Sequence, residues 1–258
     1  MNRTVTEGGG RVMVPAVILG WLLLVLSPPV WAETAKSDSA GQAYEQGVKL
    51  SEAKQYQAAI EALTKALQAD PNHPGALYSL GRIYDGQGKT KEARALLERL
   101  TKIDPAHADG WYLLGRLAEK ENRLKDAMDG YRMALAAKPD LVDAHYNLGF
   151  VYLSMERRGD AAKQFTEVLR LNPAYAEAHM NLGVIYTAQS KLDEAEKEYE
   201  AAVTLKPMLA EAHYNLGVFF EFHRKDVGKA LAQYRKYLEL GGTDERVERI
   251  IRQLGGGK

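Results

Sequence analysis

The chain of 258 residues carries 34 basic and 34 acidic side chains, so its net charge offers no general attraction for nucleic acid or anionic lipid. It has no cysteine, which excludes disulfides, thiolate metal sites and a cysteine nucleophile. Its length suits one large domain, two small domains or a solenoid that has no single core.

The amino-terminal residues are arranged like a secretory signal. Arg3 and Arg11 supply positive charge, and residues 12–26 form an apolar run that contains no charged side chain. Two prolines then break any helix, and the segment ends in a small residue, Ala32. This layout predicts a signal peptide over residues 1–32 that is cleaved after Ala32, and hence a periplasmic or secreted protein.

A retained membrane anchor is the alternative to cleavage. The anchor would occupy residues 12–31 and leave the rest of the chain facing the periplasm. Its apolar run of about 15 residues is short against the ~20 that a spanning helix needs. Residues 33–39 are small or polar, which predicts a flexible leader into the segment that follows.

From residue 40 onward the sequence repeats with a period of 34 residues. The segment His145-Tyr-Asn-Leu-Gly149 returns as His179-Met-Asn-Leu-Gly183 and as His213-Tyr-Asn-Leu-Gly217. A fixed period in this range indicates a stacked array of helical repeats. The repeats cover residues 40–241 as six units: 40–73, 74–107, 108–141, 142–175, 176–209 and 210–242. The sixth unit departs from the pattern, with one extra residue near Arg224 and with Gly242 where the earlier units have proline.

Four positions of the unit explain how two helices pack within it. Position 8 is glycine in all six units and position 20 is alanine in the first five, which removes side chains where two antiparallel helices cross. Position 24 is large and apolar and fills the space beside the crossing, while proline at position 32 ends the second helix. Helices are predicted at positions 1–14 and 17–30, with turns at Gln55-Tyr56, Gly88-Lys89, Asn122-Arg123, Arg158-Gly159 and Ser190-Lys191.

This pattern resembles the tetratricopeptide repeat family over residues 40–241. The third unit shows the family's residues as Trp111, Leu114, Gly115, Ala118, Ala127, Tyr131, Ala134 and Pro139. The resemblance implies an all-α, right-handed α-solenoid of six helix-turn-helix units. Residues 243–258 add a capping helix and tail. Its apolar face holds Val247, Ile250, Ile251 and Leu254, and Thr243 or Asp244 can cap its start.

In this family the first helix of each unit lines a concave groove, so the resemblance implies a partner-binding surface at positions 2, 5, 6, 9, 12 and 13. Position 5 is tyrosine at Tyr78, Tyr112, Tyr146 and Tyr214. Position 6 is asparagine at Asn147, Asn181 and Asn215. Position 9 changes along the chain: Arg82, Arg116, Phe150, Val184 and Val218. An asparagine row can hold a peptide backbone through its donor and acceptor groups; the alternative is that this residue belongs to the family consensus.

These features predict a non-catalytic scaffold that binds a protein or peptide in the groove, in assembly or secretion in the bacterial cell envelope. Two alternatives remain, a membrane-anchored adaptor and a self-associating module. No cofactor, metal or nucleic acid is expected. The histidines at position 4 recur about 10 Å apart, too far for one metal ion, so a packing role is predicted for them. No nucleophile and base are found together.

Overall fold

The structure is a computed structural model that describes the backbone of residues 30–254 and the side chains of residues 38–254. Residues 1–29, which hold most of the predicted signal or anchor, lie outside the described residues, as do 255–258 of the tail. The described part contains thirteen α-helices and no strand, which confirms the all-α solenoid. Within it, no helix combines the length and the apolar character needed to cross a membrane.

Twelve of the helices form the six predicted pairs. The first helices are α1 Val30–Glu52, α3 Pro74–Gly86, α5 Ala108–Lys120, α7 Val142–Ser154, α9 Ala176–Ala188 and α11 Ala210–Phe219. The second helices are α2 Tyr56–Ala69, α4 Thr90–Ile103, α6 Leu124–Ala137, α8 Arg158–Leu171, α10 Leu192–Leu205 and α12 Val227–Glu239. The thirteenth, α13, is the capping helix Glu245–Leu254.

Helix α1 begins earlier than the repeat. It starts at Val30 and runs through residues 33–39, where the sequence predicts a flexible leader. The leader prediction is therefore wrong for the backbone. Residues 33–40 include alanine and lysine, which favour helix, and no proline or glycine interrupts them before Gly41.

The turn inside each pair has one backbone geometry. One of its residues has a positive φ: Lys54, Gly88, Asn122, Glu156, Ser190 and Lys225 in the six units. The amide that follows bonds back over the end of the first helix, as in Arg157 N to Tyr152 O at 2.8 Å. The turn predicted at Arg158-Gly159 is wrong, because α8 begins at Arg158. The true turn, around Glu156, has no glycine or proline to mark it.

The glycine at position 8 allows the two helices of a pair to cross closely. A Cβ atom added at Gly149 would lie 2.8 Å from the Phe165 ring, and one at Gly183 would lie 2.7 Å from the Tyr199 ring. Phe165 is fully buried. The large residue at position 24 therefore occupies the space that glycine leaves, as the sequence predicts.

The sixth unit absorbs its extra residue in a π-helical turn, Phe220–Arg224, which follows α11. A π-turn takes up one residue more than an α-turn, so α12 still packs against α11 and Ala230 and Tyr234 stay buried. The capping helix then packs against this unit through fully buried Val247, and its start is capped by Asp244 Oδ1, which accepts from Val247 N at 3.0 Å. Leu254, expected on the same face, is 55% exposed.

The closest backbone approach predicts a large effect of one methyl group. A Cβ atom at Gly130 of α6 would lie 2.7 Å from Gly115 N, and backbone cannot rotate away as a side chain can. We expect Gly130→Ala to destabilise the protein by about 1–3 kcal/mol. Gly159→Ala is the control, because no neighbouring atom lies within 4 Å of its Cβ. It should raise the thermal midpoint slightly. Equal midpoints for the two variants would contradict the close crossing.

Candidate functional site

The first helices form the inner side of the solenoid. Besides packing within its own pair, α3 contacts both α1 and α5, and α9 contacts α11. Direct contacts between first helices of successive units place them on the short, concave side of the curve. Positions that face away from the second helices therefore line a continuous surface along the stack.

Clefts open on this surface between successive units. One, of about 440 Å³, lies between the first two units and is lined by Val48, Glu52, Ser79 and Arg82 among others. Another, of about 360 Å³, is lined by Arg116, Glu119, Lys120 and Asn147. The two have equivalent positions in the repeat. The structure thus brings predicted groove residues from neighbouring units together, in particular Arg116 with Asn147.

The tyrosines at position 5 stand at the boundary between units. Each of the four predicted ones is half-buried. Two of the rings contact the residue that precedes the next unit: Tyr78 contacts His107, with 5.1 Å between ring centroids, and Tyr146 contacts Tyr175, at 4.9 Å. These residues therefore hold neighbouring units together and also present part of each ring to the groove.

The three asparagines are not equivalent. Asn147 donates to Tyr112 Oη at 3.1 Å, which ties it to the preceding unit. Asn181 is only 6% exposed, and its Nδ2 has no hydrogen-bond partner within the described residues. Asn215 is partly exposed and no hydrogen bond of its side chain occurs in that part of the chain. Asn215 lacks the bond that Asn147 makes because position 5 of the unit before it is Met180, which has no hydroxyl.

Arg82 and Arg116 lie along their own helices over tyrosine rings. The guanidinium carbon of Arg82 is 5.6 Å from the Tyr78 centroid, and that of Arg116 is 6.0 Å from the Tyr112 centroid. Asp85 of the preceding unit neutralises Arg116, at 3.8 Å, and also Lys120, at 2.5 Å. Arg82 makes no ion pair among the described residues.

The carboxyl-terminal half of the groove is apolar. Phe150 is half-buried and packs edge-on against Tyr146 and Phe165, with centroids 5.0 and 5.8 Å apart, so part of it belongs to the core. Val218 likewise packs against the core of the last unit. Val184 is 41% exposed and is the most accessible of the predicted apolar groove residues.

The histidines at position 4 are structural, as predicted. Each uses Nε2 on the carbonyl of the proline that ends the preceding unit, at 3.0–3.1 Å, and Nδ1 on a residue of its own second helix. His145 and His213 face the amides of Gln164 and Gln233. His179 instead faces the carboxylate of Glu198 at 2.5 Å. Among residues 38–254 no His, Asp or Glu cluster is arranged to hold a metal ion.

A row of acidic side chains on the same surface was missed from the sequence. Position 2 is acidic in four consecutive units: Asp109, Asp143, Glu177 and Glu211. The first three lie near the position-5 tyrosine of the preceding unit. Burial, and then the neighbouring carboxylates of Asp109 and Asp143, raise the pKa values of Tyr78 and Tyr112 respectively. Recurrence of the acid at the 34-residue period was the signal that could have revealed it.

His179 should make stability depend on pH. Its hydrogen bond to Glu198 raises its pKa, because Pro173 O and the carboxylate both only accept and so favour the doubly protonated ring. A folded-state pKa above the unfolded value of about 6.5 stabilises the fold fully below pH ~6.5, and this stabilisation is lost as pH rises through the folded-state pKa. We expect a loss of roughly 1 kcal/mol across that range.

Glu198→Gln gives the chain a third histidine–glutamine pair and should remove this part of the pH dependence. The measurement is the thermal midpoint of both proteins at a series of pH values from about 5.5 to 8.5. Parallel curves for wild type and variant would show that the ion pair contributes nothing.

Comparison with known proteins agrees with the helix-pair geometry. Sequence models of the tetratricopeptide repeat match residues 50–117, 119–156, 146–210 and 188–245. None of the curated proteins compared with this sequence matches it.

Solved structures are similar over most of the described chain. The crystal structure of MamA is 28% identical, with a TM-score of 0.59, and the match covers 64% of this chain and 96% of that one. YrrB, described as a TPR protein with an unusual peptide-binding site, is 24% identical with a TM-score of 0.65, over 75% and 99% of the two chains. PilF from Pseudomonas aeruginosa is 17% identical with a TM-score of 0.70, over 85% and 99%. The last two show the fold alone.

Proposed function

The chain belongs to the tetratricopeptide repeat family, and we propose that it is a non-catalytic scaffold that binds an extended segment of a partner protein on its concave surface. One observation carries the proposal. The inner surface ends in a stretch where Val184, Asn215 and Phe222 are accessible and where no hydrogen bond within the described chain uses the Asn215 amide. Phe222 is 56% exposed and Val184 is 41% exposed.

This stretch offers what an extended segment needs. The Asn215 amide provides one donor and one acceptor for a peptide bond, and it can do so without reading the side chain attached to that bond. Val184 provides apolar contact for a side chain of the partner, and the exposed part of Phe222, whose ring centroid lies 5.1 Å from the guanidinium carbon of Arg246, adds to it. Asn147, which is already bonded to Tyr112, is less free to serve in this way. Within the asparagine row, we therefore expect Asn215 to contribute more to partner binding than Asn147.

We further propose that the scaffold works in the bacterial cell envelope, in assembly or secretion. Support comes from the signal-like residues 1–32, and the retained anchor over residues 12–31 remains the alternative. Helix α1 begins at Val30, so cleavage after Ala32 would remove only its first three residues.

The processing of the amino terminus can be measured directly. If the signal is cleaved as proposed, the intact mass and terminal sequence of the protein from the envelope fraction give Glu33 as the first residue. A chain that keeps residues 12–31 and sediments with membranes would instead establish the anchored adaptor.

Self-association has one observation in its favour. Three large apolar side chains in the last unit and capping helix are exposed: Phe222, Val227 and Leu254, at 56%, 46% and 55%. Light scattering of the protein over a range of concentrations distinguishes this candidate, because a self-associating module gives a mass that rises with concentration.

Groove variants test the scaffold function. We expect Val184→Glu to abolish capture of the partner by the carboxyl-terminally tagged chain in its own cells, since a charge would face the partner's apolar contact. Met208→Glu is the matched control, because Met208 is 72% exposed in the loop between units and lies off the groove. Equal capture by both variants would place the binding surface elsewhere.

Two asparagine variants separate binding from folding. Asn215→Ala loses no hydrogen bond within the described chain, so it should weaken capture without moving the thermal midpoint. Asn147→Ala loses the bond to Tyr112 and should cost about 0.5–1.5 kcal/mol of stability. A lower midpoint for Asn215→Ala would contradict the assignment.

A further inference from the structure

Three tyrosines and two carboxylates meet at the centre of the groove, where the third, fourth and fifth units join. Tyr146 and Tyr175 are in ring contact at 4.9 Å, with their planes tilted by 36°. Burial, and then the charges of Asp143 and Glu177, raise the pKa of Tyr175, and the Tyr112 phenol adds to the effect. We call Tyr112, Tyr146, Tyr175, Asp143 and Glu177 the tyrosine–acid cluster.

The cluster has an uncompensated negative charge. Glu177 is paired with Lys206, at 2.5 Å between carboxylate and ammonium. Asp143 is exposed and makes no ion pair among the described residues. No lysine or arginine of that part of the chain lies over the ring of Tyr146 or Tyr175, whereas Arg116 lies over Tyr112 from one side. The cluster therefore combines partly exposed aromatic rings with one free carboxylate.

Two earlier units of the chain show which side chain packs over such a tyrosine ring. In the second and third units a guanidinium from position 9, Arg82 or Arg116, lies over the tyrosine at position 5. In the fourth unit position 9 is Phe150, so Tyr146 receives no cation from its own helix. An arginine brought by a partner would supply the same contact there. Arginine suits the site better than lysine, because its planar group stacks on a ring and pairs with a carboxylate together.

A second feature marks the same place as incomplete. Asn181 lies beside Tyr146, whose pKa is raised to about 12, chiefly by burial. Nδ2 of Asn181 makes no hydrogen bond within the described chain, although only 6% of the residue is exposed. Nδ2 is a donor, so the partner that it lacks is an acceptor such as a backbone carbonyl of the bound segment; an arginine side chain, which only donates, does not supply it.

We propose that the tyrosine–acid cluster binds an arginine side chain of the segment held in the groove, so that the partner presents a basic, extended segment. This inference rests on the proposed groove function. The acidic row at position 2 agrees with it, because Asp109, Asp143 and Glu211 are exposed carboxylates without an ion partner in the described chain. In the amino-terminal half, Arg116 and Lys120 are paired with Asp85, so they repel such a segment less than free cations would.

The test uses three fluorescein-labelled peptides and the full chain as it is isolated from cells. Each peptide has about twelve residues, enough to extend roughly 40 Å along the groove, with alternating leucine and serine. They differ only at two central residues, which are arginine, glutamine or glutamate. Fluorescence anisotropy at low and high salt should rank arginine above glutamine and glutamine above glutamate, with the arginine advantage shrinking in high salt.

Variants assign the preference to the cluster. Asp143→Asn should weaken the arginine peptide about 2- to 5-fold, with Asp129→Asn on the exposed side of α6 as the control of equal charge change. Tyr175→Leu should weaken it about 3- to 10-fold, while Tyr175→Phe keeps the ring and retains binding. Leucine folds well at this position, because Leu141 and Leu209 occupy it in the third and fifth units.

The outcomes separate this proposal from the function it rests on. If the glutamine peptide binds as tightly as the arginine peptide and Asp143→Asn changes neither, the groove function stands and the arginine site is overturned. If the arginine peptide does not bind at all, the arginine site is overturned as well, and capture of the partner by the Val184 and Met208 variants still decides the groove function. An equal loss of affinity for the arginine peptide in Asp129→Asn would show that the effect of Asp143→Asn comes from net charge, and it would overturn the arginine site.

Discussion

The close crossing of two helices at a glycine is the contact on which the whole structure depends. At each position 8 the backbone of the first helix lies against a large side chain from position 24, and a Cβ atom would meet that side chain at 2.6–3.1 Å. A unit of only 34 residues has little apolar surface of its own, so its two helices must approach closely before the next unit can stack on them. Repetition of this one contact builds the core as a chain of small clusters.

Contacts between units use the same few positions and thereby shape the groove. The residue at position 4 reaches the carbonyl of the preceding proline, through Trp111 Nε1 at 2.9 Å and through three histidines in later units. The tyrosine at position 5 covers the boundary beside it. Residues that join units therefore also line the concave surface, so only part of each is free to meet a partner.

That sharing explains why a repeated residue does not have a repeated role. Asn147, Asn181 and Asn215 occupy one position of the unit, yet one is bonded, one is buried without a bond and one is open. Part of their surroundings comes from the preceding unit, where Asn147 meets the hydroxyl of Tyr112 and Asn215 has Met180 at the corresponding position. Arg116 follows the same rule, since it meets Asp85 of the preceding unit rather than a carboxylate of its own unit. Specificity along the groove thus comes from pairs across unit boundaries.

The sequence by itself determined the helix pairs, the role of the glycine at position 8 of the unit and the capping helix, because these depend on residues within one 34-residue period. It failed at the turn around Glu156, which no glycine or proline marks, and at residues 33–39, whose alanine and lysine favour helix although their polar composition predicts a leader. Only the tertiary structure decided which asparagine is free and that Tyr175 joins Asp143 in one cluster. Those facts depend on distances between side chains of different units, which the period of the sequence does not contain.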